Sequence, residues 1–260
     1  MRLSILLFVL LLLPTCGFAE EPRILFDQGH RQAFLIENEG PLQLSGLAAV
    51  FHQQGWQIEV NREPLTGQGL TGIDALVISG AFSPFQPAEI ETILHFLQQG
   101  GRLAVMIHIG QPILPLMHQL GVDVATRVIN ETPNQPNGKS IDFTVTSFKP
   151  HPLTSGLQQF NIYGGWPLRA FSQLGESIAS SSPHSWIDMN QDQHLSQGDI
   201  VSQFDVIISG EVGRGSFVVF ADDAIFQNKF LKDGNLELAK KPATRKEPGA
   251  MSANHRTRTG

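Results

Sequence analysis

Short, nearly continuous apolar runs alternate with stretches of helical spacing through the first half of this 260-residue chain, and that alternation constrains the fold most. Ile24-Leu25-Phe26 leads into Asp27-Gln28-Gly29-His30, Ala75–Ile78 closes in Ser79-Gly80, and Arg102–Ile107 runs into His108-Ile109-Gly110. Trp56–Val60 alternates as a further strand. Between these runs, Leu42–Gln54 carries apolar residues at 44, 47, 50 and 51, helical spacing that Gly55 ends. Pro87 opens a second helix, with acids near its start, apolar residues at 90, 93, 94 and 97, and Gly100-Gly101 behind it. Ile113–Leu120 reads as a short third helix. Strands that are apolar on both faces and joined by helices belong to a parallel sheet covered on both sides. The expected fold is therefore α/β, a flavodoxin-like three-layer parallel sheet with helices on both faces.

The second half predicts a β-rich addition. Thr132–Lys139 is a Pro- and Asn-rich loop, and Ile141–Thr146 alternates as a strand. Phe204–Ile208 and Ser216–Phe220 read as a β-pair joined by Gly210–Gly215, and Leu236–Ala239 begins one more helix. Residues 240–260 hold six Lys or Arg and one Glu among Pro, Gly, Ser and Thr, the composition of a disordered basic tail. Residues 20–239 form one expected domain, which their number supports as a single core.

The first nineteen residues read as an export signal. Arg2 supplies the positive end, Leu3–Leu13 the apolar run, Pro14 its stop, and Gly17-Phe18-Ala19 a small-residue cleavage site before Glu20. The run is about half the roughly 20 residues that span a bilayer. Two alternatives stay open: an anchor that is never removed, and a lipoprotein acylated at Cys16, the only cysteine. Cleavage after Ala19 leaves a mature chain without thiols or disulfides, periplasmic or secreted, and with no later segment apolar enough to cross a membrane. The formal charge of −6 argues against a nucleic-acid partner.

Ligands in open α/β sheets sit beyond the carboxyl ends of the strands. Asp27, His30, Ser79, His108, Asp222 and Asp223 all fall there, which makes them the candidate ligand-binding set. They bind a small molecule, a glycan or a protein partner on one reading. On the other, Asp27, His30, His108 and Asp222 serve a hydrolase, acting on a nucleophile or on a water, with or without a metal. No G-x-S-x-G elbow is present, and no spacing fixes a zinc site. Tyr163-Gly164-Gly165-Trp166-Pro167 is a Gly-hinged aromatic loop that either stacks on a ligand or packs its Trp against the domain edge. Asp188, Asn190, Asp192, His194, Ser196 and Asp199 sit in a twelve-residue segment with the ligand rhythm of a Ca²⁺ loop, although position 6 is Gln193 in place of Gly and position 12 is Asp.

Several segments, in order, resemble the class I glutamine amidotransferase-like superfamily, and within it the exported proteins grouped as domain of unknown function 4350, with relatives among GldG-type gliding proteins and intraflagellar-transport domains. The matching pieces are Ile24–His30, Ala75–Gly80, Gln86–Leu103, Lys149–Leu157 with its His-Pro-Leu-Thr, Gly215–Asn228, and Gly234-Asn235-Leu236. The resemblance implies a flavodoxin-like fold. Enzymatic members of the superfamily carry a Cys at the turn that here reads His108-Ile109-Gly110, so it also implies that amidotransferase chemistry is lost and that the domain binds without catalysing.

The export reading has a direct check. Protein recovered from the periplasm or medium is expected to begin at Glu20. An acylated Cys16 or a retained Met1 would replace that reading with one of its two alternatives.

Overall fold

The computed structural model describes residues 21–241. The expected leader and nearly all of the expected basic tail lie outside them. In chain order the elements are β1 (Arg23–Asp27), α1 (Ser45–Gln53), β2 (Gln57–Asn61), β3 (Ala75–Ser79), α2 (Pro87–Gln98), β4 (Arg102–Met106) and α3 (Leu114–Gln119). There follow β5 (Val122–Val124), β6 (Asp142–Val145), β7 (Ser147–Phe148), β8 (Phe160–Tyr163), β9 (Leu168–Ala170) and β10 (Gly175–Ser180). The chain continues through β11 (Trp186–Ile187), β12 (Ile200–Val201), β13 (Asp205–Val212), β14 (Gly215–Phe220) and α4 (Asp233–Ala239).

The main sheet is mixed and holds ten of the described strands, with the path β2-β1-β3-β4-β14-β13-β10-β7 and with β9 and β5 attached beside β13. Its first five strands are mutually parallel. From β14 onward the neighbours are antiparallel. The β-rich second half thus extends the parallel sheet, and it also forms two separate ribbons, β6 with β8 and β11 with β12. The expected parallel sheet holds for five strands, and the expected β-rich addition joins it through antiparallel neighbours. Two-residue strands such as β7 and β12 are too short to show a period in the sequence.

Residues facing both sides of the central strands are buried, β3 along its whole length, because neighbouring segments exclude water from both faces. Helix α2 follows its sequence signals closely. Pro87 occupies its first turn, Ile90, Ile93, Phe96 and Leu97 are buried, and the backbone N–H of Gln86 donates to the Glu89 carboxylate at 2.9 Å. Gly210 departs from its expected place in a turn. It lies within β13, and a Cβ there would come 2.2 Å from the Leu174 carbonyl oxygen and 2.5 Å from the Phe217 ring. The turn itself is Gly213-Arg214, with Gly213 at φ +61°.

Two asparagines from the matching segments act as staples. Asn228 accepts from the Gly46 N–H at 2.8 Å and donates to the Gly40 carbonyl, fixing the start of α1. Asn235 accepts from the Asn161 N–H at 2.7 Å and donates to the Asn161 and Ile225 carbonyls, tying α4 to β8.

Candidate functional site

The six strand-end candidates do not form one cluster. Asp27 and His30 belong to a buried network behind the sheet edge. His30 Nδ1 lies 2.7 Å from Asp27 and its Nε2 lies 3.1 Å from Glu89. The ring also stacks on Phe85 with centroids 3.6 Å apart. Asp27 accepts further bonds from Gln32 at 2.6 Å and Asn61 at 3.0 Å, and Glu89 accepts from the Leu65 N–H at 2.8 Å. Burial opposes a charge on His30, but the facing Asp27 and Glu89 outweigh it and raise its pKa. Both ring nitrogens then donate to carboxylates, an arrangement that suits the imidazolium. His30 is only 4% exposed, and this network ties the loop after β1 to α2.

The second network opens outward. His108, two residues beyond β4, lies 3.0 Å through Nδ1 from Asp223, which follows β14. The two are 115 residues apart and meet because β14 runs parallel to β4, Phe220 opposite Met106. Asp222 beside them accepts from the Tyr163 N–H at 2.7 Å and the Ala224 N–H at 2.9 Å. Trp166 donates its indole N–H to the His108 carbonyl at 2.8 Å, so the aromatic loop is fixed onto the strand end. The bond to Asp223 raises the His108 pKa, burial opposes it, and Asp222 adds to the rise. Complete burial, helped by the charge of Asp223, pushes Asp222 up to about 7 even though two backbone donors favour its ionised form.

These groups share a pocket of ≈ 380 Å³. Phe34, Tyr163 and Trp166 give it aromatic walls, and Leu42, Ile109 and Val128 line the rest of its apolar side. The Phe34 and Phe82 rings also stand 5.1 and 5.2 Å from His108, centroid to centroid. Gln227 lines the same pocket at 3% exposure. No Ser, Thr, Cys, Lys or Arg contributes to the lining among the described residues. Ser79 is buried in β3 with its hydroxyl unpartnered, as is one oxygen of Asp223, which points at Gly80 where a Cβ would lie 2.6 Å away. Gly80 therefore leaves room for the acid that positions His108.

Sequence reading missed Glu89, Gln32, Phe34 and Gln227. Glu89, Phe34 and Gln227 meet their site partners only through folding, whereas Gln32 bonds Asp27 and the His30 N–H within its own loop. Sequence reading also split the two alternatives for Trp166, which packs on the strand end and lines the pocket at once.

The twelve-residue acidic segment is the tip of the β11–β12 ribbon. Asp188 accepts from the N–H groups of Gln191 at 2.6 Å and Gln193 at 2.9 Å. Asp199 accepts from those of Met189 at 2.9 Å and Ser196 at 2.8 Å, and Asp192 from that of His194 at 2.8 Å. Asn190 donates to both Asp192 and Ser196. Gln193 takes the left-handed turn expected of Gly, at φ +63°. The acids thus close the loop on its own backbone. No group of three or more His, Cys, Asp or Glu is placed to hold a metal among the described residues, and a strand rather than a helix follows.

A family profile described as a domain of unknown function, DUF4350, matches residues 36–241. No curated protein matches the sequence. Among solved structures, the mmIFT52 N-terminal domain superposes with a TM-score of 0.68 at 16% identity, over 83% of this chain and 93% of that one. A ThuA-like protein from Bacteroides uniformis ATCC 8492 gives 0.51 at 16% identity, over 86% and 91%. A cytoplasmic protein from Salmonella typhimurium LT2 gives 0.51 at 17%, over 85% and 100%. At these identities the likeness concerns the fold.

Two measurements test the electrostatics. His30, His108 and Asp222 all bind protons more tightly folded than unfolded, so their contributions are complete at low pH and fade as pH rises. Asp222 spans roughly pH 4 to 7 and sets an upper bound on the order of 4 kcal/mol on the loss. Denaturant unfolding is expected to show stability falling from pH 5 to 8, and Asp222→Asn is expected to flatten the part below pH 7. A wild-type profile that rises across this range would contradict the assignment. For the acidic loop, thermal midpoints in millimolar Ca²⁺ and in chelator test the calcium reading: a calcium-dependent rise that Asp188→Ala abolishes is the outcome it expects, and coinciding midpoints would remove it.

Proposed function

We propose, for a chain that belongs to the DUF4350 family, that the pocket at the carboxyl ends of β4 and β14 binds a small uncharged ligand without catalysing its reaction. One observation carries the reading: His108, held by Asp223, faces an aromatic pocket that offers a buried amide, Gln227, but no Ser, Thr or Cys among the described residues. The absence of Lys and Arg from the described lining disfavours phosphates and carboxylates. Burial pushes the Asp222 pKa up to about 7, so below that pH it adds little charge to the floor. Aromatic walls favour a ligand with an apolar face, and Gln227 supplies one donor and one acceptor to its polar edge.

The hydrolase alternative draws on Asp27, His30, His108 and Asp222 and needs at least two of them within hydrogen-bond reach around one pocket. Asp27 and His30 being committed to the Glu89 network speaks against it. The parallel strand order 2-1-3-4-5, counting β14 as fifth, supports the flavodoxin-like arrangement and an amidotransferase-like origin. His108-Ile109-Gly110 at the elbow supports the loss of that chemistry. Export of the domain to the periplasm or medium belongs to the same proposal.

The test is a thermal-shift and Trp-fluorescence screen with neutral mono- and disaccharides and short uncharged peptides. A binder is expected to lose about tenfold in affinity with Gln227→Ala, the effect of one buried hydrogen bond. Ester, amide and glycoside substrates are expected to turn over at background rates in wild type and His108→Ala alike. Turnover that vanishes in His108→Ala would overturn the binding reading, and so would a screen in which no compound shifts the wild type.

A further inference from the structure

Most polar side chains of the strand-end pocket are already engaged by the protein itself. Asp222 accepts backbone N–H donors at both carboxylate oxygens, Oδ2 from Tyr163 and Oδ1 from Ala224. Asp223 meets His108 through Oδ1, and its Oδ2 is sealed against Gly80. The Trp166 indole N–H donates to the His108 carbonyl, and the Tyr163 hydroxyl hydrogen-bonds Asn161. Two lining side chains keep polar atoms for a ligand. His108 is held only at Nδ1, which leaves Nε2. Gln227 lines the pocket at 3% exposure, and its amide makes no hydrogen bond with any described residue. The backbone beneath that amide is fixed: the Gln227 carbonyl accepts from the Phe230 and Leu231 N–H groups at 2.8 and 2.9 Å, and the adjacent Asn228 is bonded to Gly46 and Gly40.

A buried amide without a partner destabilises the protein unless a ligand supplies both an acceptor and a donor. The Gln227 amide presents its carbonyl and one N–H side by side. A single ligand group satisfies both only if it carries a donor and an acceptor on one edge. A cis amide does so, because a lactam ring holds its N–H and C=O on the same side. The trans amide of a linear peptide holds them on opposite sides and offers one at a time. A saccharide brings a ring of hydroxyls, most of which would be buried against Phe34, Leu42, Ile109, Val128 and Trp166 without a free partner. Those aromatic walls suit the face of a flat ring, and Phe82, exposed and 5.2 Å from the His108 ring centre, adds a further aromatic surface.

We propose that the strand-end pocket takes a flat, uncharged ring with a cis-amide edge, the class that includes cyclic dipeptides and oxo-pyrimidines, and that this edge pairs with the Gln227 amide. The inference rests on the reading of this pocket as the binding site of an uncharged ligand, and it names the ligand class. The aromatic walls remove the ring faces from water and supply most of the affinity. The Gln227 amide selects among rings of similar size, because a ring without the paired donor and acceptor leaves it unsatisfied. His108 Nε2 serves a second polar atom of the ring. The fixed backbone at Gln227 presents the amide with little ordering on binding. No Lys or Arg lines the pocket among the described residues, so the free ring is preferred over a phosphorylated derivative.

The test is calorimetric titration of the folded chain with two matched pairs: uracil against 1,3-dimethyluracil, and cyclo(Gly-Gly) against its N,N′-dimethyl form. Methylation removes the amide N–H and adds apolar surface, so burial alone would raise affinity. The parent rings are instead expected to bind about tenfold more tightly or better, since the methylated ones leave the Gln227 carbonyl unpaired. Gln227→Met, close in size but without hydrogen-bonding groups, is expected to erase the difference within each pair, with circular dichroism confirming the fold. Gln227→Ala gives the same reading if the Met variant does not fold. A linear capped glycine with trans amides is expected to bind about tenfold more weakly than cyclo(Gly-Gly). Dimethylated rings that match their parents, a preference that survives loss of the Gln227 amide, or a saccharide or linear peptide that binds more tightly than either ring would overturn this inference and leave the pocket as a binding site. Absence of binding by rings, saccharides and linear peptides alike would overturn both.

Discussion

The parallel pairing of β14 with β4 is the contact on which the rest of this molecule depends. Five residue pairs, Ser216 with Arg102 through Phe220 with Met106, join strands more than a hundred positions apart. That pairing completes the parallel half of the sheet and starts the antiparallel half, since β13 adds to the other side of β14. It also decides where two loops meet. His108 follows β4 and Asp222-Asp223 follow β14, so a shift of one residue in register would reverse which side chains face the pocket. The Asn228 and Asn235 staples lock the chain just beyond β14 onto α1 and β8, which holds that register from the far side.

The two histidine networks show how the same pair of residue types is put to different use. His30 and Asp27 are three positions apart and sealed beneath Phe85, with Glu89 as a second anion. Removing one partner would leave a buried charge uncompensated, so the network serves to brace α2 against the loop after β1. His108 and Asp223 are joined only by tertiary structure, and the imidazole keeps one side toward an open pocket. Exposure separates them: the His30 side chain is 5% accessible and that of His108 36%. The chemistry available to each follows from that difference more than from the identity of the acid.

The proposed site arises from what the sheet leaves uncovered. At the carboxyl ends of β4 and β14 the uncovered region is lined by loops, and loops supply mixed aromatic and polar groups.

Much of the parallel half was legible in the sequence. The apolar runs at Ile24–Phe26, Ala75–Ile78 and Arg102–Ile107, the Pro87 start and the Gly100-Gly101 stop mark β1, β3, β4 and α2 because burial on both faces leaves no polar positions in a strand. The second half was far less legible. Several of its strands have only two to four residues, and Gly210 suggested a turn where a crowded strand position excludes any side chain. The candidate site was legible as a list of residues but not as a grouping. By itself the sequence determined that Asp27, His30, His108, Asp222 and Asp223 stand at strand ends, since a polar residue after an apolar run can sit nowhere else in such a sheet. Only the tertiary structure decided that the first two are sealed in and the last three face a pocket. Burial and hydrogen-bond partnership depend on segments such as Phe85, Glu89 and Trp166, whose approach no local pattern encodes.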